Sequence, residues 1–167
     1  MLNDIEKAYL AGAMDSDGWF MIRKIKPESG GGRANFSFYL GVGFCQVDSI
    51  IPDILAKEFG GAVRLRQARQ KKGEKTNGWR PNYYWTVSSK EAYHIAKDLF
   101  PFLKVKQRQA EICMLLQENI NKLKYSWMSK GRKGANPLPI EVVDYRTKLF
   151  EELRSLHDNR ISQQSMI

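Results

Sequence analysis

Leu10-Ala11-Gly12-Ala13-Met14-Asp15-Ser16-Asp17-Gly18 is the stretch on which the reading of this chain turns. Asn3 or Asp4 is placed to cap a helix running to about Ser16, along which Ile5, Ala8, Tyr9, Leu10, Gly12 and Ala13 recur at helical spacing. Ala8, Gly12 and Ser16 fall at every fourth position and line one stripe. Side chains that small let a second helix approach at or below the usual axis separation of about 8–10 Å. Asp15 and Asp17 close the helix at its C-terminal end, where the helix dipole disfavours negative charge. Carboxylates set against that trend need a counterion, and a divalent metal would serve. Gly18 permits a sharp exit into a strand. An ordinary core helix ending in an Asp-Ser-Asp-Gly turn satisfies the same letters, since Asp and Gly are common turn residues.

Working outward, Trp19 to Lys26 reads as a strand and Pro27 to Gly32 as a turn. Asn35 to Cys45 reads as a long second strand. In it Phe36, Phe38, Leu40, Val42 and Phe44 alternate with Ser37, Tyr39, Gly41 and Gly43, one set on each face. Ser49 to Phe59 reads as a helix with Pro52 in its first turn, ended by Gly60-Gly61. Ala62 to Arg69 is a third strand, with Val63 and Leu65 facing inward and Arg64 and Arg66 outward. Gln70 to Arg80 is a basic loop. Asn82 to Ser88 is a fourth strand whose facing the consecutive Tyr83, Tyr84 and Trp85 leave open. Ser88 or Ser89 begins a helix that stops near Phe100-Pro101, and another spans about Lys106 to Leu123. Lys124 to Pro139 reads as loop, about Ile140 to Leu156 as a last helix, and the residues after His157 as a polar, frayed tail.

The order predicts an α+β domain, αββαββα, with a four-stranded antiparallel sheet and the helices on one face. The whole chain, 1–167, is expected to be one domain: a core of about 3–123, a helical extension of about 138–156 and a polar tail at 157–167. An antiparallel sheet can leave its second face uncovered, and here that face would carry Arg23, Ser37, Tyr39, Arg64 and Arg66. A surface of that kind can read a DNA major groove.

Charge points the same way. Lys and Arg total 27 against 18 Asp and Glu, a formal net charge of +9 that suits a phosphate backbone. Cys45 and Cys113 lie too far apart to suggest a disulfide framework or a cysteine-built zinc site. His94 and His157 are too few and too distant for a histidine-based nuclease centre. No apolar run approaches the ~18–20 residues of a membrane span, and the N-terminus lacks a signal-peptide pattern, so an intracellular protein without membrane partners is expected.

The stretch from Leu10 to Gly18 resembles the LAGLIDADG motif of homing endonucleases. Leu10, Ala11, Gly12, Asp15, Asp17 and Gly18 carry the motif's letters, while Ala13, Met14 and Ser16 depart from it with small or apolar residues. Pro101-Phe102-Leu103-Lys104-Val105-Lys106-Gln107-Arg108-Gln109-Ala110 resembles the Pro-Phe-Leu-Lys-x-Lys-x-x-Gln-Ala segment of the single-motif subgroup. The resemblance covers roughly residues 5 to 120.

What it implies is a site-specific, intron-encoded DNA endonuclease. Asp17 matches the metal-binding carboxylate, and the backbone carbonyl of Ser16 matches a second contact to Mg²⁺ (or Mn²⁺). Lys106 matches the basic residue near the scissile phosphate, and Gln46 the polar residue that positions the attacking water. Single-motif members act as homodimers, so two motif helices would pack through Ala8, Gly12 and Ser16 and cut double-stranded DNA across its minor groove. A long pseudo-palindromic target is expected. An intron RNA maturase, with the host intron RNA as partner, and a non-catalytic DNA-binding regulator are the alternatives on the same fold. The implied compartment is an organelle (chloroplast or mitochondrion) or a prokaryotic cytoplasm.

Overall fold

The structure, a computed structural model, describes residues 2–26, 36–67, 80–128 and 138–164. Helix α1 spans Asp4–Asp17 and opens on a capping box: the Asn3 side chain accepts from the Glu6 amide while the Glu6 carboxylate accepts from the Asn3 amide. Strands β1 (Gly18–Ile25) and β2 (Ser37–Gln46) follow, then α2 (Ile50–Phe59), β3 (Ala62–Arg66), β4 (Asn82–Ser88) and α3 (Ser89–Leu99). A short 3-10 turn, Phe100–Phe102, leads to α4 (Gln107–Met128), and α5 (Ile140–Gln164) closes the described chain. The expected turn at Pro27–Gly32 and most of the basic loop from Gln70 to Arg80 lie outside the described residues.

The four strands form one antiparallel sheet in the order β1-β2-β4-β3. Gly18 pairs with Phe44 and Ile25 with Ser37 across β1 and β2, Gly41 with Ser88 across β2 and β4, and Arg66 with Asn82 across β3 and β4. The α+β architecture with helices on one face is as the periodicity predicts. Phe38, Leu40, Val42 and Phe44 are buried beneath the helices with Leu10, Met14, Phe20, Ile95, Leu99, Ile112 and Leu116. Trp85 and Val87 join them, which settles the facing of β4: Trp85 points inward and Tyr84 outward. Inside, the Trp85 indole N–H donates to the Gly60 carbonyl at 2.8 Å, a partner that a buried indole needs. Gly60 and Gly61 have φ of +78° and +86°, and this left-handed pair turns the chain from α2 directly into β3.

Three expectations need correction. Leu65, expected inward, is 49% exposed, because β3 is an edge strand and Val63 is its residue packed against the core. Helix α4 continues past Leu123 to Met128, through the first residues expected as loop; 129–137 lie outside the described residues. Helix α5 runs to Gln164 rather than stopping at Leu156 with a frayed tail. No Gly or Pro interrupts 140–164, so nothing in the chain terminates the helix earlier. Leu149 and Leu153 of α5 are buried in the same hydrophobic cluster as Leu10. The buried Arg146 donates from Nε to Asn119 of α4 at 2.8 Å. On β1, the Lys24 ammonium reaches Thr147 Oγ1 at 3.2 Å and lies 4.6 Å from the centre of the Phe36 ring. No described helix is long and apolar enough to cross a membrane.

Candidate functional site

The two motif carboxylates at the end of α1 have different fates. Asp15 turns toward the start of α4. Its Oδ2 accepts from the Lys104 and Val105 amides at 2.7 and 3.1 Å, and its Oδ1 from the Lys106 amide at 2.8 Å. These amides lie in the turn that leads into α4, with Lys106 just before its first residue, so Asp15 caps the approach to α4 from a distant segment. Its charge is met by N–H groups and the positive end of a helix dipole, which corrects the expectation that both carboxylates need a metal counterion. Asp17 is exposed, and among the described residues it has no hydrogen-bond or ion-pair partner. Gly18 follows it directly, and a Cβ there would lie 2.5 Å from the Met14 side chain, so no larger residue fits that exit from the helix.

Lys106 completes the interlock. It is 6% exposed, and its ammonium donates to the carbonyls of Met14 and Ser16 at 2.7 and 3.0 Å. Both carbonyls lie at the C-terminal end of α1, where a cation is favoured, and the Met14 carbonyl also accepts the Gly18 amide. The Ser16 carbonyl, expected to contact a metal, thus already faces one positive charge; its second lone pair is available to another. Gln46 is the last residue of β2, half-buried, and pairs with Tyr83. Among the described residues no group of three or more His, Cys, Asp or Glu could hold a metal ion. A metal here would rest on Asp17 and backbone oxygen, with the remaining donors from outside the described residues. Hard oxygen donors beside carbonyls that already draw a cation fit Mg²⁺ or Mn²⁺.

Beside Asp17 begins the open face of the sheet. Arg23 pairs with Tyr39, Arg64 with Tyr84, and Arg66 with Asn82; the three arginines are exposed, Tyr39 is 38% exposed and Ser37 half-buried. Met21, Arg23, Tyr39, Gly41, Tyr84 and Thr86 line a depression of about 380 Å³. At the Asp17 end, Trp19 lies across Gly43 and stacks on Tyr84, with ring centroids 5.3 Å apart and planes at 28°. The Arg66 guanidinium sits 5.4 Å from the centre of the same Tyr84 ring. Cys45, between them on β2, feels the charges of both Arg66 and Asp17; burial pushes its thiol above the usual range. The stripe on α1 is uncovered. Ala8, Gly12 and Ser16 are exposed, Ile5 and Tyr9 are 83% and 59% exposed, and a Cβ on Gly12 would meet nothing within 4 Å.

No protein-family model and no curated protein matches this sequence. Solved structures do. The homing endonuclease I-CvuI in complex with its target has a TM-score of 0.64 at 17% identity, over 91% of this chain and 82% of that one. The I-LtrWI LAGLIDADG homing endonuclease bound to target DNA has a TM-score of 0.60 at 15% identity, over 91% of this chain and 45% of that one. The archaeal intron-encoded I-Vdi141I complexed with DNA has a TM-score of 0.51 at 14% identity, over 90% and 98%. This chain has the LAGLIDADG homing-endonuclease fold.

Within the LAGLIDADG fold, the structure gathers Ser16, Asp17 and Lys106 at one corner, from which the small stripe runs back along α1 and the arginine face runs out over the sheet. The Asp15 cap and the Trp19–Tyr84–Arg66 stack had no counterpart in the sequence reading. One signal for the stack was available: glycines at 41 and 43 inside an apolar strand mark a close approach by something large. The Asp15 cap left no local trace, because its partner amides are some ninety residues away.

Proposed function

We propose that this chain is a site-specific endonuclease that cleaves double-stranded DNA as a homodimer. The observation that carries the reading is the corner of α1: an exposed, unpaired Asp17 beside a buried Lys106, at the edge of a basic open sheet. A pure binding protein has no use for an unpaired carboxylate next to phosphate, where it would repel the ligand.

Asp17 and the Ser16 carbonyl would hold Mg²⁺ or Mn²⁺, which when bound supplies Lewis-acid stabilisation of charge developing on the phosphate. Lys106 keeps a positive charge at the same corner, pre-organised by its two carbonyl partners, where it offsets charge on the scissile group. The Gln46 amide is assigned to hold the attacking water. Arg23, Ser37, Tyr39, Arg64 and Arg66 are assigned to DNA contacts, on bases or on flanking phosphates, along the major groove. The two cleavage sites then face each other across the minor groove, which is only about 6 Å wide.

The homodimer rests on two supports. The Ala8, Gly12 and Ser16 stripe is exposed next to two exposed apolar side chains, and a two-fold contact through it would bring two Asp17 carboxylates together. This chain also covers 45% of the I-LtrWI chain, so two copies span about the length of one such chain.

The test is selection of cleaved duplexes from a randomised plasmid library with Mg²⁺. The Asp17→Asn protein should bind the recovered duplex and leave supercoiled plasmid intact, since the amide keeps size and loses the charge. Nicking by Asp17→Asn near the wild-type rate removes the carboxylate from the mechanism. Tight binding without cleavage by the wild type points instead to a DNA-binding regulator.

A further inference from the structure

We propose that Trp19 and Tyr84 are positioning residues that hold Arg66 as a pre-aimed reader of a guanine next to the cleavage position, leaving Arg64 to the phosphate backbone. The proposal rests on the DNA-binding reading above and adds a division of labour between two arginines of one strand.

The three side chains form a stack that crosses the entire sheet. Trp19 belongs to β1, Tyr84 to β4 and Arg66 to β3. The indole reaches Tyr84 only because β2 offers glycine at 43, where a Cβ would stand 2.2 Å from the Trp19 ring and any side chain would expel it. Tyr84 therefore has an indole packed 5.3 Å away and a guanidinium 5.4 Å from its ring centre. A guanidinium on an aromatic face gains cation–π attraction and loses rotamer freedom before any ligand arrives. The planar N–H fork of an arginine so held matches the two acceptors, O6 and N7, on a guanine's major-groove edge.

Arg64 differs although it lies two residues away on the same face. It is exposed, and among the described residues it has no ring, hydrogen-bond or ion-pair partner. A free side chain of that kind suits phosphate, which accepts charge from many directions. Placement adds the position of the base. Trp19 is two residues beyond Asp17, and the register sets Gly18 opposite Phe44 and Cys45 opposite Tyr84, so the stack sits at the Asp17 end of the sheet.

The experiment combines a readout without DNA and one with it. In the free protein, the Arg66 Nε–H resonance, assigned by its absence in Arg66→Lys, should be displaced by the Tyr84 ring current. Tyr84→Phe should preserve the displacement and Tyr84→Val abolish it. Affinity is then measured for the duplex recovered from the randomised library and for its single-base variants. Arg66→Lys keeps the charge but loses the planar fork, and should reduce discrimination at one guanine by about 5- to 150-fold, the range for one bidentate base contact. Tyr84→Val should lose discrimination at the same base pair, and the double variant should lose no more than either single one. Arg64→Ala should instead lower the salt slope by about one and leave base preference unchanged. Full discrimination in Arg66→Lys, a circular dichroism-folded Tyr84→Val that keeps it, or strictly additive effects each overturn the proposal. Should the wild type recover no duplex at all, the DNA reading falls and the guanine assignment with it, while the ring-current shift still reports separately on the stack.

Discussion

Gly12→Leu should separate the chain from the dimer proposed above. Within one chain the substitution is harmless: Gly12 is exposed, and a Cβ there meets nothing within 4 Å. Leucine is a far better helix former than glycine, worth about 1 kcal/mol in a helix interior. The isolated chain should thus gain stability, by about 2–4 °C in Tm for a domain of this size. In a dimer packed through Ala8, Gly12 and Ser16 the same leucine enters a space where two backbones come close. Overpacking of that kind costs about 1–3 kcal/mol per site. A two-fold axis applies it twice, so association should weaken by about 2–6 kcal/mol, roughly 30-fold to 10⁴-fold in Kd. Sedimentation equilibrium reads the association, and far-UV circular dichroism with thermal melting reads the chain. The expected pair of results is a folded monomer and lost cleavage, with loss of the concentration-dependent melting that a dimer shows. An intact active dimer refutes the stripe as the interface. A variant that fails to fold refutes the openness of that face within the chain.

Asp15→Ala removes the acceptor of three amide donors at the start of α4, and should destabilise the chain by about 1–3 kcal/mol; an unchanged denaturation midpoint would show that solvent replaces the cap without loss. Thiol labelling distinguishes the two cysteines. The Cys113 thiol is fully enclosed and pushed far above its usual range by burial, so it should react only after denaturation. Cys45 is partly exposed and its thiol is also raised, mainly by burial, so its labelling should be slow near neutrality and accelerate as pH rises and thiolate forms. Rapid labelling of Cys113 in the folded protein would contradict the packing of α4 against the sheet.

What was legible in the sequence was set by local periodicity. Alternation along β2 placed Phe38 to Phe44 correctly, and the small residues of α1 marked its uncovered side. What was not legible depended on partners far along the chain. Three consecutive aromatics in β4 carry no period, and Trp85 faces inward because the Gly60 carbonyl waits there for its indole N–H. Leu65 alternates like a core residue, yet its strand lies at the edge, which pattern alone does not say. The length of α5 was underestimated because its last turns are polar, and polarity read as a tail where no Gly or Pro stops the helix; the last turn of α4, with Tyr125, Trp127 and Met128, shows no helical period of its own. At the candidate site, Asp17 and Lys106 stood out by resemblance, whereas the task of Asp15 depends on amides that only folding brings to it.

That division between the aspartates explains why the corner needs both. Helix α1 ends where α4 begins, and the two ends carry opposite partial charges. Asp15 sends a negative charge from the end of α1 to the amides of α4, and Lys106 returns a positive one from the start of α4 to the carbonyls of α1. Each side chain answers the other helix's dipole, so the pair locks the two ends in register and leaves no charge of its own unmet. Asp17, one turn-step further, falls outside this exchange and projects from the rim. A carboxylate so placed gains nothing for the fold. Its charge is available because its neighbours have already neutralised one another, and the rigidity they impose fixes where that charge is presented. Losing Asp15 should therefore harm catalysis through misplacement as well as instability, whereas losing Asp17 should leave the folded chain untouched. Equal thermal stability of Asp17→Asn and the wild type, alongside a weakened Asp15→Ala, is the pattern this argument requires.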